Sequence, residues 1–272
     1  PATPSASPAT KRLETKMNLF RRIFFAAVLS GLAAGLAMSA VQQWRVAPLI
    51  LEAETYEGQE APAAPATHTH EDGTAAHSHD AEEAAPAGHV HDEDAWAPQD
   101  GAERIFYTVF ADVLAAIGFA LVLAAVSVLV GLPITAANGI VWGLGGFIVF
   151  QLAPAFGLPP ELPGMPAADL GARQLWWWGT AIATGAGLLG IAKFRNWQAI
   201  AVGAVLILLP HLIGAPQPPH EPSAVPAHLA TAFAASALSA GAVFWFIVGP
   251  LLGYLNTRFA KAEASQTRMV HA

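Results

Sequence analysis

The chain has 272 residues, 54% of them hydrophobic and 12% charged, with a formal net charge of −7 and no cysteine. A soluble domain carries roughly a quarter charged residues, so an ordinary water-soluble globule is excluded, and so is a wholly disordered chain. The missing cysteines exclude disulfides, thiolate metal sites, iron–sulfur clusters and a cysteine nucleophile.

Residues 1–18 read as a disordered leader, rich in Pro, Ala, Ser and Thr before Met17, and no function is assigned to it. The first transmembrane helix is predicted over 20–43, within a segment bounded at 19–44. Arg21 and Arg22 precede 22 uncharged residues that end at Trp44. A basic pair before an apolar run resembles a secretory signal. The run is too long for one and closes without a small-x-small cleavage site, so it reads as an uncleaved anchor.

Residues 45–106 have the composition of a disordered acidic loop. From Glu52 to Glu103 there are 14 acids and no Lys or Arg. Six of the ten histidines fall here as three His-x-His pairs: His68 with His70, His77 with His79, and His89 with His91. Acidic residues adjoin each pair, as in Glu71-Asp72, Asp80 and Asp92-Glu93-Asp94. Neutral imidazole binds Zn, Ni, Co and Cu, and neighbouring carboxylates add oxygen ligands and negative potential. The six histidines are therefore candidate ligands for a labile metal site. A solvated linker whose histidines hold nothing is the alternative. Imidazole and carboxylate do not by themselves select cobalt over nickel or zinc.

A crossing helix needs about 20 mostly apolar residues for roughly 30 Å of hydrocarbon. Val113–Pro160 holds 48 uncharged residues, interrupted by Gly131-Leu132-Pro133, which reads as a tight turn between two spans. Arg173 and Lys193 bracket 19 more, Arg195 and Glu221 bracket 25, and Glu221 and Arg258 bracket 36. Together with the first helix, these predict spans near 107–130, 134–153, 174–192, 197–213 and 229–253. The expected fold is thus an all-α polytopic bundle of six helices. Residues 107–255 form its main part and 256–272 a cytoplasmic tail. Five spans remain possible, because the helices at 174–192 and 197–213 are short and rich in Gly and Ala. Small residues four apart, Gly31 and Gly35, Gly139 and Gly143, Gly249 and Gly253, suit close helix packing.

With the N-terminus in the cytoplasm, ten of the 13 basic residues fall inside and only Arg45, Arg104 and Arg173 outside. That bias places both termini in the cytoplasm and the histidine loop outside. The polar motifs then gather on the outer face. Glu161, Asp169 and His211 are suitable ligand types for a divalent metal if they converge. A solvated loop, or pairing of Asp169 with Arg173, is the alternative. Trp176-Trp177-Trp178 reads as an interfacial anchor. Asp112 lies inside a span, where a carboxylate faces the bundle interior, a water-filled cavity or a partner charge, unless it snorkels outward. It is the candidate for the transport path. Asn138 and Gln151 read as interhelical hydrogen-bond partners. No phosphate loop, H-E-x-x-H or G-x-S-x-G motif occurs, so an enzyme is not expected. Nor is a nucleic-acid partner.

Several of these strings, taken together, carry a family resemblance. They are Arg21-Arg22-Ile23-Phe24, the histidine loop, Asp100-Gly101 with Glu103-Arg104, Trp142-Gly143-Leu144 with Gly146-Phe147, and Leu158-Pro159-Pro160-Glu161-Leu162-Pro163-Gly164. Arg173-Gln174 with Trp176-Trp177, and Pro210-His211 with Gly214-Ala215-Pro216, complete the set. The chain resembles the CbtA family of cobalt transporter subunits from about Met17 to Leu255. The resemblance implies an inner-membrane protein that imports Co²⁺ for cobalamin synthesis. It also implies a small single-helix partner subunit with histidines of its own. The family is described with five spans, one fewer than drawn here. The resulting expectation is import of a divalent metal, cobalt ahead of nickel or zinc. A non-transporting metal receptor or assembly subunit is the alternative.

Overall fold

The computed structural model describes residues 8–56, 98–220 and 222–270, which form helices and connecting turns with no strand among them. Helix α1 spans Pro8–Val41 and passes through a π-helical segment, Gln42–Val46, into α2, Ala47–Glu54. Helix α3 is Ala102–Val130. Helix α4, Gly139–Phe147, continues through a second π segment, Ile148–Leu152, into α5, Ala153–Gly157. Helices α6, α7 and α8 are Leu170–Phe194, Trp197–Ile213 and Ala227–Val270.

Five stretches are long and apolar enough to cross a membrane: Met17–Glu54, Ala102–Val130, Gly139–Gly157, Leu170–Phe194 and Ala227–Gln266. The sixth predicted span, α7, is a helix but has 17 residues, about 26 Å of rise against roughly 30 Å of hydrocarbon. It nonetheless returns the chain to the loop end. Gly203 of α7 lies against Gly187 of α6, and Trp176 Nε1 donates to the Pro210 carbonyl at 3.2 Å. Val225, just before α8, and Leu229, in its first turn, then pack with Ala53 and Leu162. The opposite end is closed by an ion pair between Arg22 of α1 and Glu263 of α8, at 3.2 Å. The two terminal helices thus meet at the end remote from the loop.

Several boundaries differ from the sequence reading. Helix α1 begins at Pro8, ahead of 18, and α8 runs unbroken to Val270, through the segment assigned to a tail. Lys, Arg, Glu, Leu and Met are strong helix formers, so polar sequence flanking a span extends the helix. The first helix also continues past Trp44 to Glu54. Each π segment ends two residues before a proline, Pro48 in α2 and Pro154 in α5. Proline removes a donor and crowds the preceding turn, and a widened turn relieves both. Pro210 and Pro250 sit within α7 and α8 without one, so proline alone does not suffice.

The packing rests on glycine. A Cβ on Gly31 would lie 2.5 Å from the Ile117 Cα, and one on Gly139 would lie 2.5 Å from the Gly249 carbonyl oxygen. Gly143 meets the α8 backbone at Trp245 in the same way, and Gly253 meets the backbone of Thr135, in the turn before α4. Small residues let backbones touch where lipid offers no hydrophobic drive for association. Around these contacts sits an aromatic core. Phe150 stacks on Trp245 at 5.7 Å, and Phe119 meets Phe150 edge-on at 5.1 Å. Trp245 is fully enclosed. Leu129, Phe156 and Leu212 are more than four-fifths exposed, which suits side chains solvated by lipid tails.

Turn chemistry closes the helices. Gly131 takes a left-handed conformation, φ 70°, as the cap of α3, and the Leu132 N–H returns to the Ser127 carbonyl. The turn expected at Gly131-Leu132-Pro133 is present. Asn138 differs from expectation: its Oδ1 accepts from the Thr135 N–H at 2.7 Å and its Nδ2 donates to the Pro133 carbonyl at 3.0 Å. It closes a local turn rather than bridging two helices. Short polar side chains compete well for nearby backbone groups.

Candidate functional site

The first π segment meets α3 at a carboxylate. Asp112 is half-buried in the second membrane-crossing helix. Ser39, which is buried, donates its hydroxyl to Asp112 Oδ2 at 2.9 Å. With its amide nitrogen turned toward the carboxylate, Gln42 donates to Oδ2 at 2.7 Å and to Oδ1 at 3.2 Å. The widened turn begins at Gln42, so the residue that opens the helix also reaches the charge. Just below, Gly35 brings α1 close to Val113 and Ala116. Asp112 therefore faces α1 within the bundle. Of the two sequence readings, the inward one describes its geometry.

Eight residues toward the loop end of α3, Arg104 grips both Glu54 oxygens and donates to Asp100 Oδ1 at 3.1 Å. Glu54 ends α2 and Asp100 precedes α3, so this cluster joins the two described borders of the histidine segment. Eight helical residues are about 12 Å. A clamp at the loop end and a carboxylate one short step beneath it share one face of α3.

The other predicted residues do not assemble beside it. Glu161 pairs with Arg173 at 2.8 Å. Asp169 caps α6, its Oδ1 accepting from the Ala172 N–H at 2.8 Å, so the suggested Asp169–Arg173 side-chain pairing gives way to Glu161–Arg173. The ring of His211 meets Phe156 and Trp176 edge-on at 5.5 and 5.9 Å, and its buried Nδ1 has no protein partner. Among the described residues no three His, Asp or Glu side chains form a group able to hold a metal ion. His68, His70, His77, His79, His89 and His91 lie outside the described residues.

A family model described as "Probable cobalt transporter subunit (CbtA)" matches residues 20–257. The chain belongs to the CbtA family. No curated protein and no solved structure matches it. The matched span contains both π segments, the Arg104 clamp, Asp112 and all six loop histidines of this CbtA chain. It is a helical multi-pass membrane protein and, by family, a subunit of a cobalt transporter.

Several features of this region were not anticipated from sequence. Ser39 and Gln42 were hidden in a run whose apolar average concealed them. The three tryptophans divide their work. Trp176 bonds to Pro210 and packs on Gly157, Trp177 approaches Phe150 at 6.3 Å, and Trp178 is exposed. Gln151, expected to hydrogen-bond between helices, instead presses its amide against Gly241 of α8 from the second π segment, and its buried Oε1 has no partner. A glutamine a few residues before Ala-Pro, at both π segments, was the one available sequence signal.

Proposed function

We propose that this chain imports a divalent transition metal, with Co²⁺ as substrate, and that Asp112 is the carboxylate that passes the ion or an exchanging proton inward. The observation that carries this reading is Asp112 held by Ser39 and Gln42 inside a crossing helix, beneath the Arg104–Glu54 clamp. Ionisable residues within spans mark ion pathways and proton relays. One carboxylate with a hydroxyl and an amide is too weak a ligand set to retain a transition metal. That suits passage rather than storage.

The three histidine pairs capture metal outside and raise its concentration at the clamp. In this scheme the loop faces the periplasm and both termini face the cytoplasm of the inner membrane. Glu161 and Asp169 are engaged with Arg173 and with the α6 backbone, so they support the outer rim and are not assigned to the path. His211, with a free ring nitrogen, is kept as an auxiliary ligand at that rim. The membrane potential favours entry of a doubly charged ion by about 4 to 5 kcal/mol at 100 mV, enough to drive import without ATP. The family's description names a subunit, and we assign the missing part to a small single-helix chain bearing histidines.

Vesicles containing the purified chain test the reading directly. With an inside-negative potential, Co²⁺ should accumulate, and Asp112→Asn should lower the maximal rate per molecule by about tenfold, a barrier rise near 1.4 kcal/mol. Replacing the six loop histidines should raise the metal concentration needed for half-maximal uptake and leave the maximal rate nearly unchanged. Unaltered kinetics in Asp112→Asn would remove that residue from the path. Absence of uptake by the chain alone, restored by a partner, would make this the metal-receiving subunit rather than the complete importer.

A further inference from the structure

At the end where the terminal helices meet, α1 and α8 run on past the α3–α4 turn and leave a notch beneath it. The notch is a cavity of about 590 Å³, within the range of small-molecule sites. Its walls are apolar: Leu19 and Ile23 from α1, Val128 from α3, Pro133 from the turn, and Ala260 and Ala264 from α8. Two basic residues, Arg22 and Lys261, line its edge. Arg22 is tied through one terminal nitrogen to Glu263, but its Nε is buried and has no hydrogen-bond partner. Asn256 adds a second buried, unpartnered atom, Oδ1, among the lining residues. Lys261 is exposed.

The position matters as much as the lining. Helix α3 ends at Val130, so the turn marks where the apolar spans stop. Arg21, Arg22, Arg258 and Lys261 fall at that level on the two long helices. Such a band of basic residues at the end of a span lies among lipid headgroups. A cavity that is apolar within and cationic at its rim complements one kind of neighbour there. Basic pockets between membrane helices take anionic lipid headgroups, and here the apolar floor accepts the upper part of an acyl chain as well.

We propose that this notch is a binding site for one acidic phospholipid, its phosphate against Lys261 and Arg22 and its glycerol and proximal chain in the cavity. The pocket is roofed by the turn hydrogen-bonded to α8 through Ala136 N–H to Thr257 Oγ1, at 3.0 Å, and through Asn256 Nδ2 to the Ile134 carbonyl, at 3.4 Å. A bound lipid therefore cross-links α1, the α3–α4 turn and α8. The proposal does not depend on which metal the chain carries.

Native mass spectrometry of the full chain in detergent, titrated with phosphatidylglycerol and with phosphatidylcholine, tests it. Phosphatidylglycerol should bind in one tight equivalent, well ahead of phosphatidylcholine. Lys261→Gln should weaken it about fivefold, the effect of one basic residue at an anionic lipid surface, while leaving the Arg22–Glu263 pair intact. Ala260→Phe, which fills the cavity and keeps every charge, should abolish the tight equivalent. Equal affinity for the two lipids overturns the proposal, as does an unchanged preference in both variants. Displacement by glycerol phosphate at concentrations matching the lipid would identify a soluble-anion site instead. A peptide crosslinked to Lys261 in protein taken from membranes would identify a protein occupant and equally overturn it.

Discussion

A carboxylate inside a bilayer needs donors, and Asp112 draws both of its donors from one neighbouring helix. Ser39 is fully enclosed and one turn of helix ahead of Gln42, so the two approach the same carboxylate from the last turn of α1 and the π segment that continues it. A hydrogen bond to a charged group contributes about 1.5–3 kcal/mol. Ser39→Ala should leave the fold in place, because the side chains are nearly equal in size, but should lower uptake per molecule several-fold. Uptake normalised to the amount of folded protein in the membrane checks this, and wild-type kinetics would show that the hydroxyl has no part in passage. At this scale the sequence was informative about residue type and blind to pairing. Asp112 stood out because a charge in a span is costly. Glu161 and Asp169 also carried the right chemistry, yet Arg173 lay near both in the chain and sequence could not decide which it would hold. Distance along the chain says little about which acid a guanidinium reaches across a loop.

Helix contacts are set by where glycine leaves room. Gly31→Ala would place a methyl 2.5 Å from the Ile117 Cα, a collision with backbone that only a helix shift relieves. Gly118, on α3 itself, has nothing within 4 Å of its missing Cβ. Thermal unfolding in detergent should therefore separate two substitutions of identical chemistry. Gly31→Ala should destabilise the protein by about 1–3 kcal/mol, the usual cost of overpacking. Gly118→Ala should be neutral or gain up to about 1 kcal/mol from helix propensity. Equal melting temperatures would show that α1 and α3 do not approach so closely. The glycine pairs were legible in sequence because small residues four apart serve close packing. The π segments were not, since a widened turn has no hydropathy signature, and its proline neighbour occurs elsewhere in the chain without one. Helix ends were misjudged for a related reason. Apolar runs report where lipid is, whereas helices continue as far as their hydrogen bonds do.

The whole molecule turns on its ends. Arg22 with Glu263 marks one end, and Arg104 with Glu54 the other. Single cysteines introduced at residue 75 and near residue 265 of this cysteine-free chain should face opposite sides of the membrane, so that an impermeant reagent labels only the first in intact cells and reaches the second only after lysis. The first should label from the periplasm. Labelling of both from one side would overturn the arrangement. Fold class and family were legible from composition and a handful of strings. The number of full crossings was not, because α7 has the hydropathy of a span but falls several ångströms short of one. A mechanical consequence follows from how α6 and α7 are attached. Beyond each other, the extensive contacts of this pair are with the second π segment and α5, whereas α1, α3, α4 and α8 interlock directly. By contact, the protein divides into two bodies that share a narrow seam at Ile148–Gly157. Hydrogen exchange should resolve them, with α6 and α7 amides opening together and faster than those of α1 and α8. A seam of that kind is where one body can tilt against the other while both keep their internal bonds.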